Sequence, residues 1–193
     1  MSTSSNECHI TIGIDDGMFL KGKSKWTVLV GVLFVGLKLE KIAMERVEVD
    51  GLNGTSVAWK ILNRLEVKPG ATVFLDGITY AGFNFIDPVE LSEKSFSHVI
   101  AVFRRRPNEE RILRALKLHF LDWEIRWKVI SKVSTEINEM NVRGRKLYYY
   151  SYPNSYEAKM KIRKIAVTSK IPEPLRLADA LAKEVGKFLI THL

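Results

Sequence analysis

Residues 9–51, HITIGIDDGMFLKGKSKWTVLVGVLFVGLKLEKIAMERVEVDG, contain three extended runs joined by short polar turns. His9–Ile14 is a short apolar-rich strand that stops at Asp15-Asp16-Gly17, and Lys21–Lys25 is a basic turn. Trp26–Phe34 is β-branched and aromatic, which suits a buried strand. Leu39–Val49 continues as a third strand, with alternation clearest in Val47-Glu48-Val49. Consecutive strands with short connections form an antiparallel meander, so the first and third point the same way.

A helix should follow, capped by Asn53 or Thr55, with Val57, Ile61, Leu62 and Leu65 at helical spacing and Pro69-Gly70 as its stop. Thr72–Leu75 is a fourth strand, reached by a helical crossover and therefore parallel to the first. Pro88–Lys94 suits a short helix, and His98–Phe103 a fifth strand extending the same sheet. The expected class is α/β, a mixed sheet in the order 3-2-1-4-5 flanked by helices, which is the ribonuclease H-like arrangement. Glu109–Phe120, a segment from Asp122 carrying Trp123, Trp127 and Ile130, and a basic stretch Ser155–Ile165 read as further helices. Leu147–Tyr152 is an aromatic strand, and Pro172-Glu173-Pro174 opens a last helix where proline's missing N–H matters least. No repeat or linker interrupts the chain, so residues 9–193 are expected to form one domain behind a loose polar tail of residues 1–8.

A 46% hydrophobic content is ample for a core, and no apolar run reaches the roughly 18 residues of a spanning helix, so no membrane partner is expected. The single cysteine, Cys8, excludes an internal disulfide and fits a reducing cytoplasm. The formal charge of +8 suits a polyanionic partner, the more so because the basic residues cluster. Lys21, Lys23 and Lys25 share one loop, Arg104, Arg105 and Arg106 are contiguous, and Arg143, Arg145 and Lys146 form a third group. Lys159, Lys161, Arg163, Lys164 and Lys170 make a fourth.

Three strands end alike, in Asp15-Asp16-Gly17, Asp50-Gly51 and Asp76-Gly77. Singly each is an ordinary turn signal. In the derived topology these strands run in one direction, so the carboxylates gather along one edge. Acids converging without basic partners repel one another, and a divalent cation is the usual remedy. The first and fourth strands are neighbours about 4.8 Å apart, but the third lies roughly 10 Å from the first. Asp50 must therefore lean inward or serve a second metal. Asp179, on the border of the last helix's apolar stripe, is a fourth candidate, with Arg176 three residues earlier as its partner or a phosphate contact. Two Mg²⁺ ions about 3.5–4 Å apart would suit phosphodiester hydrolysis. Four scattered histidines and one cysteine do not make a zinc site, and no Walker loop, GxGxxG or GxSxG motif is present. Tyr80, Phe83 and Phe85, in the glycine-containing loop after Asp76, are candidates for stacking on a base or for covering the core beneath that loop.

Several segments resemble the archaeal endonuclease dU family, which is related to endonuclease V. They are Gly13-Ile14-Asp15-Asp16-Gly17, Val49-Asp50-Gly51-Leu52, Leu75-Asp76-Gly77-Ile78-Thr79 and Ala81-Gly82-Phe83-Asn84. Asp87-Pro88, Arg104-Arg105-Arg106-Pro107, Asp122-Trp123-Glu124 and above all Ile171-Pro172-Glu173-Pro174-Leu175-Arg176-Leu177-Ala178-Asp179 belong to the same pattern. The resemblance implies a hydrolase of the DNA-repair kind: a Mg²⁺-dependent endonuclease, with Mn²⁺ able to substitute, cutting beside uracil or hypoxanthine. It implies Asp15 and Asp76 as metal ligands, with Asp179 at the helix position. Asp50 falls where endonuclease V carries glutamate, and Asp16 has no counterpart, leaving it to support the ligands from behind or to serve as an alternative ligand. No counterpart of the base-probing wedge is present. The expected catalytic set is thus Asp15, Asp50, Asp76 and Asp179. Lys21, Lys23, Tyr80, Phe83, Arg104, Arg105 and Arg176 are expected to face nucleic acid, DNA before RNA. Two rival functions share the fold: a non-catalytic nucleic-acid-binding protein, and a metal-dependent phosphohydrolase acting on small nucleotides.

Overall fold

The computed structural model describes residues 9–192. The expected tail, residues 1–8, and Cys8 with it, lie outside the described residues. The chain forms β1 (Ile10–Asp16), β2 (Trp26–Val35), β3 (Lys38–Glu48), α1 (Gly54–Arg64) and β4 (Thr72–Asp76) in that order. A small hairpin, β5 (Thr79–Tyr80) and β6 (Asn84–Phe85), precedes α2 (Pro88–Ser95) and β7 (His98–Phe103). The rest comprises α3 (Glu109–His119), α4 (Trp123–Thr135), β8 (Asn138–Val142), β9 (Arg145–Tyr152), α5 (Glu157–Ile165) and α6 (Glu173–Thr191).

The main sheet has the order β3-β2-β1-β4-β7-β9-β8. Its first five strands are the expected 3-2-1-4-5 arrangement: β1 is antiparallel to β2 and parallel to β4, and β4 is parallel to β7. Beyond them β9 and β8 add an antiparallel hairpin to the β7 edge. Sequence reading found β9 but not β8 or the β5–β6 hairpin. Each sheet face has its own core. Ile12, Ile14, Val73 and Leu75 point to α1, while Phe74, Ile100 and Val102 meet Ile162, Ile171 and Leu175 from the α5–α6 side. Val28, Val30 and Val32 pack on Ala178 and Ala182 of α6.

Local chemistry sets the helix ends. Asp87 caps α2 by accepting the amides of Val89 and Glu90 ahead of Pro88 at the first turn, and Asn108 caps α3 by accepting from Arg111. α1 stops at Arg64, before Pro69-Gly70, because Glu66 takes a left-handed conformation and Val67 N–H turns back to Leu62 O. No helix among the described residues is long and apolar enough to cross a membrane.

Candidate active site

Strand alternation assigns the four expected acids to two faces. Phe74 belongs to the α5–α6 core and Leu75 to the α1 core, so Asp76 turns toward α6. Ile14 lies in the α1 core, so Asp15 also turns toward α6, and Asp16 turns away. Ile14 pairs with Leu75 across the parallel strands, which makes Asp15 and Asp76 lateral neighbours at the C-terminal edge.

Two glycines bring α6 down onto this face. A Cβ on Gly13 would collide with the Pro174 carbonyl, and one on Gly17 with the Ala182 carbonyl. From Gly13 to Gly17 the strand rises about 13 Å, and from Pro174 to Ala182 the helix rises about 12 Å, so the two run side by side in step. Asp15, midway between the glycines, is therefore nearly level with Asp179, one residue past the middle of that stretch of helix. The electrostatics agree: Asp179 adds negative potential at both Asp15 and Asp76.

Asp15 is only 6% exposed, and its Oδ1 accepts the amide of Asp16 at 2.9 Å. Burial first, then the charges of Asp76 and Asp16, pushes its carboxyl far above the ordinary 3.8. Asp76 is also raised by burial, but Arg104 Nη2 stands 3.1 Å from its Oδ2 and opposes the shift. Asp179 Oδ1 lies 2.6 Å from Lys183 Nζ, one turn on. Among the described residues Asp15 has no ion-pair partner, while its two acidic neighbours each hold one cation at the rim. No three His, Cys, Asp or Glu side chains among the described residues are drawn together tightly enough to form a ready-made cage for a metal.

The remaining two acids do a different job. Asp16 Oδ2 accepts the Ala81 amide at 2.6 Å, and its carboxyl is pushed to about 6, chiefly by burial. Asp50 Oδ1 accepts the Phe83 amide at 2.8 Å, and Asp50 N–H donates to Ala81 O. Its carboxylate faces Gly82, where a side chain would strike it. Asp50 itself has φ of 57°, a left-handed backbone that Asp tolerates better than most residues. It stays with the 81–83 loop and does not reach Asp15 and Asp76, so the inward lean expected of it is not adopted.

Other expected contacts are corrected too. Tyr80 is 1% exposed, its hydroxyl directed to Gly77 O, and cannot stack on a base. The β5–β6 hairpin folds it into the α1 core, beneath the acids. Phe83 is half-buried, edge-on to Phe120 with centroids 5.4 Å apart. Arg176 pairs with Glu173 at 2.7 Å and with Thr168 at the start of α6, not with Asp179. Lys21, Lys23 and Arg105 are exposed at the acid-bearing edge, in the β1–β2 turn and after β7. Phe103 pairs with Tyr148, so the Arg104–Arg106 run adjoins Arg145 and Lys146 at the start of β9.

Three contributors escaped the sequence. Lys183 is one. Arg126 is 3% exposed and donates to the carbonyls of Asp50, Gly51 and Phe83 while pairing with Asp122. Asn84, fully buried, accepts from Gly54 N–H and donates to Glu48 O and Asn53 Oδ1. The four-residue spacings of Asp122 to Arg126 and of Asp179 to Lys183 offered a signal, and Asn84 had none of this kind.

Residues 8–186 match the family model described as endonuclease dU. A UPF0215 protein of Thermococcus sibiricus is 39% identical over 179 residues, covering 90% of each chain. One of Methanothermobacter thermautotrophicus is 37% identical over 177 residues, covering 90% of this chain and 86% of its own. Among solved structures, an Archaeoglobus fulgidus protein of unknown function superposes with a TM-score of 0.73 at 22% identity, covering 90% of this chain and 95% of its own. Human ENDOV gives 0.62 at 15% identity, with 96% and 87% covered. Ciona intestinalis endonuclease V, in complex with a 24mer DNA containing an inosine followed by a ribo-adenosine, gives 0.57 at 14%, with 96% and 87% covered. These likenesses show the ribonuclease H-like fold. The sequence match over nearly the whole described chain makes it a member of the endonuclease dU family.

Proposed function

We propose that the chain is an endonuclease that hydrolyses phosphodiester bonds of nucleic acid, DNA before RNA, beside a deaminated base, uracil or hypoxanthine. Asp15 and Asp76 would hold the metal, Mg²⁺ or Mn²⁺ in its place, with Asp179 completing the set or orienting the attacking water. The single supporting observation is Asp15: a buried carboxylate facing two other carboxylates on one sheet face, with no cation of its own among the described residues. The donor chemistry fits a hard cation, since all three side chains offer carboxylate oxygen. For the three to share a cation, Asp76 and Asp179 would have to turn from Arg104 and Lys183, the rim cations they now hold.

Mg²⁺ bound there would lower the pKa of an attacking water and neutralise charge on the scissile phosphate. The protein's own groups do the rest. Arg104 and Lys183, freed from their carboxylates, can pair with phosphate oxygens at the rim. Lys21 and Lys23 on one side, and Arg105, Arg145 and Lys146 on the other, extend a positive track along the edge. Asp16 and Asp50 grip the 81–83 loop by its amides, and Arg126 grips the same loop by its carbonyls. The Asp16 bond fastens that loop to the end of β1, next to Asp15, so a rigid loop helps to hold that ligand's strand end.

The test is incubation with labelled single- and double-stranded oligonucleotides bearing uracil or hypoxanthine, with and without Mg²⁺. Metal-dependent cutting at a fixed offset from the altered base, absent in Asp76→Ala, is expected. Salt-sensitive binding without cutting in Mg²⁺ or Mn²⁺, or turnover of free nucleotides alone, would contradict the reading.

A further inference from the structure

The turn between β1 and β2 leaves large apolar side chains in water beside the acids. Met18 is 51% exposed and Leu20 44%, with Phe19 half-buried between them, and Lys21, Lys23 and Lys25 follow, all exposed. A single exposed leucine is ordinary and needs no reason. This one belongs to a consecutive apolar triplet, and the turn that carries it is held in place.

Backbone groups do the holding. Gly17 N–H donates to Val28 O at 2.8 Å, and the Thr27 hydroxyl donates to Met18 O at 2.9 Å. Leu20 O accepts the amides of Lys23 and Ser24, while Leu20 N–H donates to the Ser24 hydroxyl at 2.9 Å. α6 presses from one side, since a side chain on Gly186 would strike the Met18 backbone. With its amides and carbonyls so committed, the turn presents its apolar side chains outward instead of folding them under.

Position decides what they meet. The sheet order places Arg104 after β7, Asp76 on β4, Asp15 on β1 and this turn beyond them toward β2, in one line along the edge. A nucleic-acid strand laid from the arginines across the acids to Lys21 and Lys23 therefore passes Met18 and Leu20. Two routes give the spacing. Met18 follows Asp15 by three residues, a reach of at most about 11 Å. Along α6, Gly186 stands seven residues past Asp179, a rise of about 10 Å. At roughly 3.4 Å per stacked nucleotide, the turn begins within about three nucleotides of the acids.

We propose that Met18, Phe19 and Leu20 form an unstacking tip, which enters the base stack of the bound strand close to the acids and holds a base out of it. Methionine, phenylalanine and leucine are among the side chains that part base steps. A protein partner fits this surface poorly, because protein interfaces are depleted in lysine and residues 21–25 hold three. The inference rests on the proposed nuclease reading for the course of the strand, but not on any cutting taking place.

The fluorescent base 2-aminopurine brightens when it leaves the stack, and in chelator it reports binding without metal-dependent cutting. Uracil-bearing duplexes carrying it at successive positions on both sides of the uracil are saturated with the full chain at low salt. One or two adjacent positions should brighten. Met18→Ser combined with Leu20→Ser should lower that rise about tenfold at saturation, with the melting temperature unchanged. Met18→Leu combined with Leu20→Met should keep it. Lys21→Ala combined with Lys23→Ala should weaken binding and reduce the salt slope by about two units, yet leave the saturated complex as bright. A parent complex that stays dark at every position, or a rise that survives the double serine change, would overturn the inference even where cutting is found. Brightening that depends on Met18 and Leu20, without cutting in Mg²⁺ or Mn²⁺, would support the tip and sink the nuclease reading alone. A chain that binds no nucleic acid would overturn both.

Discussion

The two faces of the acid-bearing edge use the same side chain in opposite ways. Toward α1, Asp16 and Asp50 spend their oxygens on the amides of Ala81 and Phe83, 65 and 33 residues away in sequence. Toward α6, Asp15, Asp76 and Asp179 face one another, with only rim cations for company. A carboxylate that accepts a loop amide is building the fold. One that is buried among its own kind works against folding and must be retained for another purpose.

Asparagine substitution separates the two roles most sharply. Asp15→Asn keeps shape and removes charge, and should cut cleavage by about 10³-fold or more, equivalent to about 4 kcal/mol of transition-state stabilisation. Asp50→Asn keeps an oxygen for the Phe83 amide and tolerates the left-handed backbone, so cleavage should stay within severalfold of the parent. Rates on a uracil-bearing oligonucleotide check both. Equal losses would erase the distinction.

Asp50→Ala should instead lower stability by about 1–3 kcal/mol, by orphaning the Phe83 amide and putting alanine at a positive φ, and denaturant titration will measure it. Asp76→Ala should leave stability within about 1 kcal/mol of the parent, because among the described residues its carboxylate's one ion-pair partner is a half-exposed arginine.

The pH dependence has a definite sign. Unfolded Asp15 titrates near 3.8, whereas the folded carboxyl keeps its proton to much higher pH. Between those limits the folded state binds the extra proton, so this contribution is complete below 3.8 and drains away as pH rises above it. Melting in a chelator should therefore weaken toward neutral pH, and Asp15→Asn should flatten the decline and raise the melting temperature there. Added Mg²⁺ should reverse the loss in the parent only.

The smallest expected effect is at the rim. Arg104→Ala should weaken oligonucleotide binding only severalfold and reduce the salt slope by about one unit, measured by fluorescence anisotropy.

Much of this was legible in the sequence because it depended on local pattern. The strands from His9 to Phe103 alternate or run apolar, their connections are short, and the sheet order follows. β8 was not legible: Asn138–Val142 has only Met140 and Val142 as buried apolar positions, too few to set a period. The acids were legible as a set, but not as two sets. Which aspartate would meet an amide depended on where the 81–83 loop lands, a contact made across dozens of residues. Tyr80 failed for the same reason, since its loop proved to be a hairpin folded under the sheet. Arg176 failed by competition: two acids lie three residues away on either side, and Glu173 with Thr168 takes it.

The central claim is that Asp15, Asp76 and Asp179 gather to hold a divalent cation, and Mn²⁺ binding followed by electron paramagnetic resonance tests it without any substrate. The parent and Asp50→Asn should both take up Mn²⁺ and release it to excess Mg²⁺, while Asp15→Asn should not. Uptake by Asp15→Asn equal to the parent's, or no uptake by the parent at millimolar Mn²⁺, would contradict it.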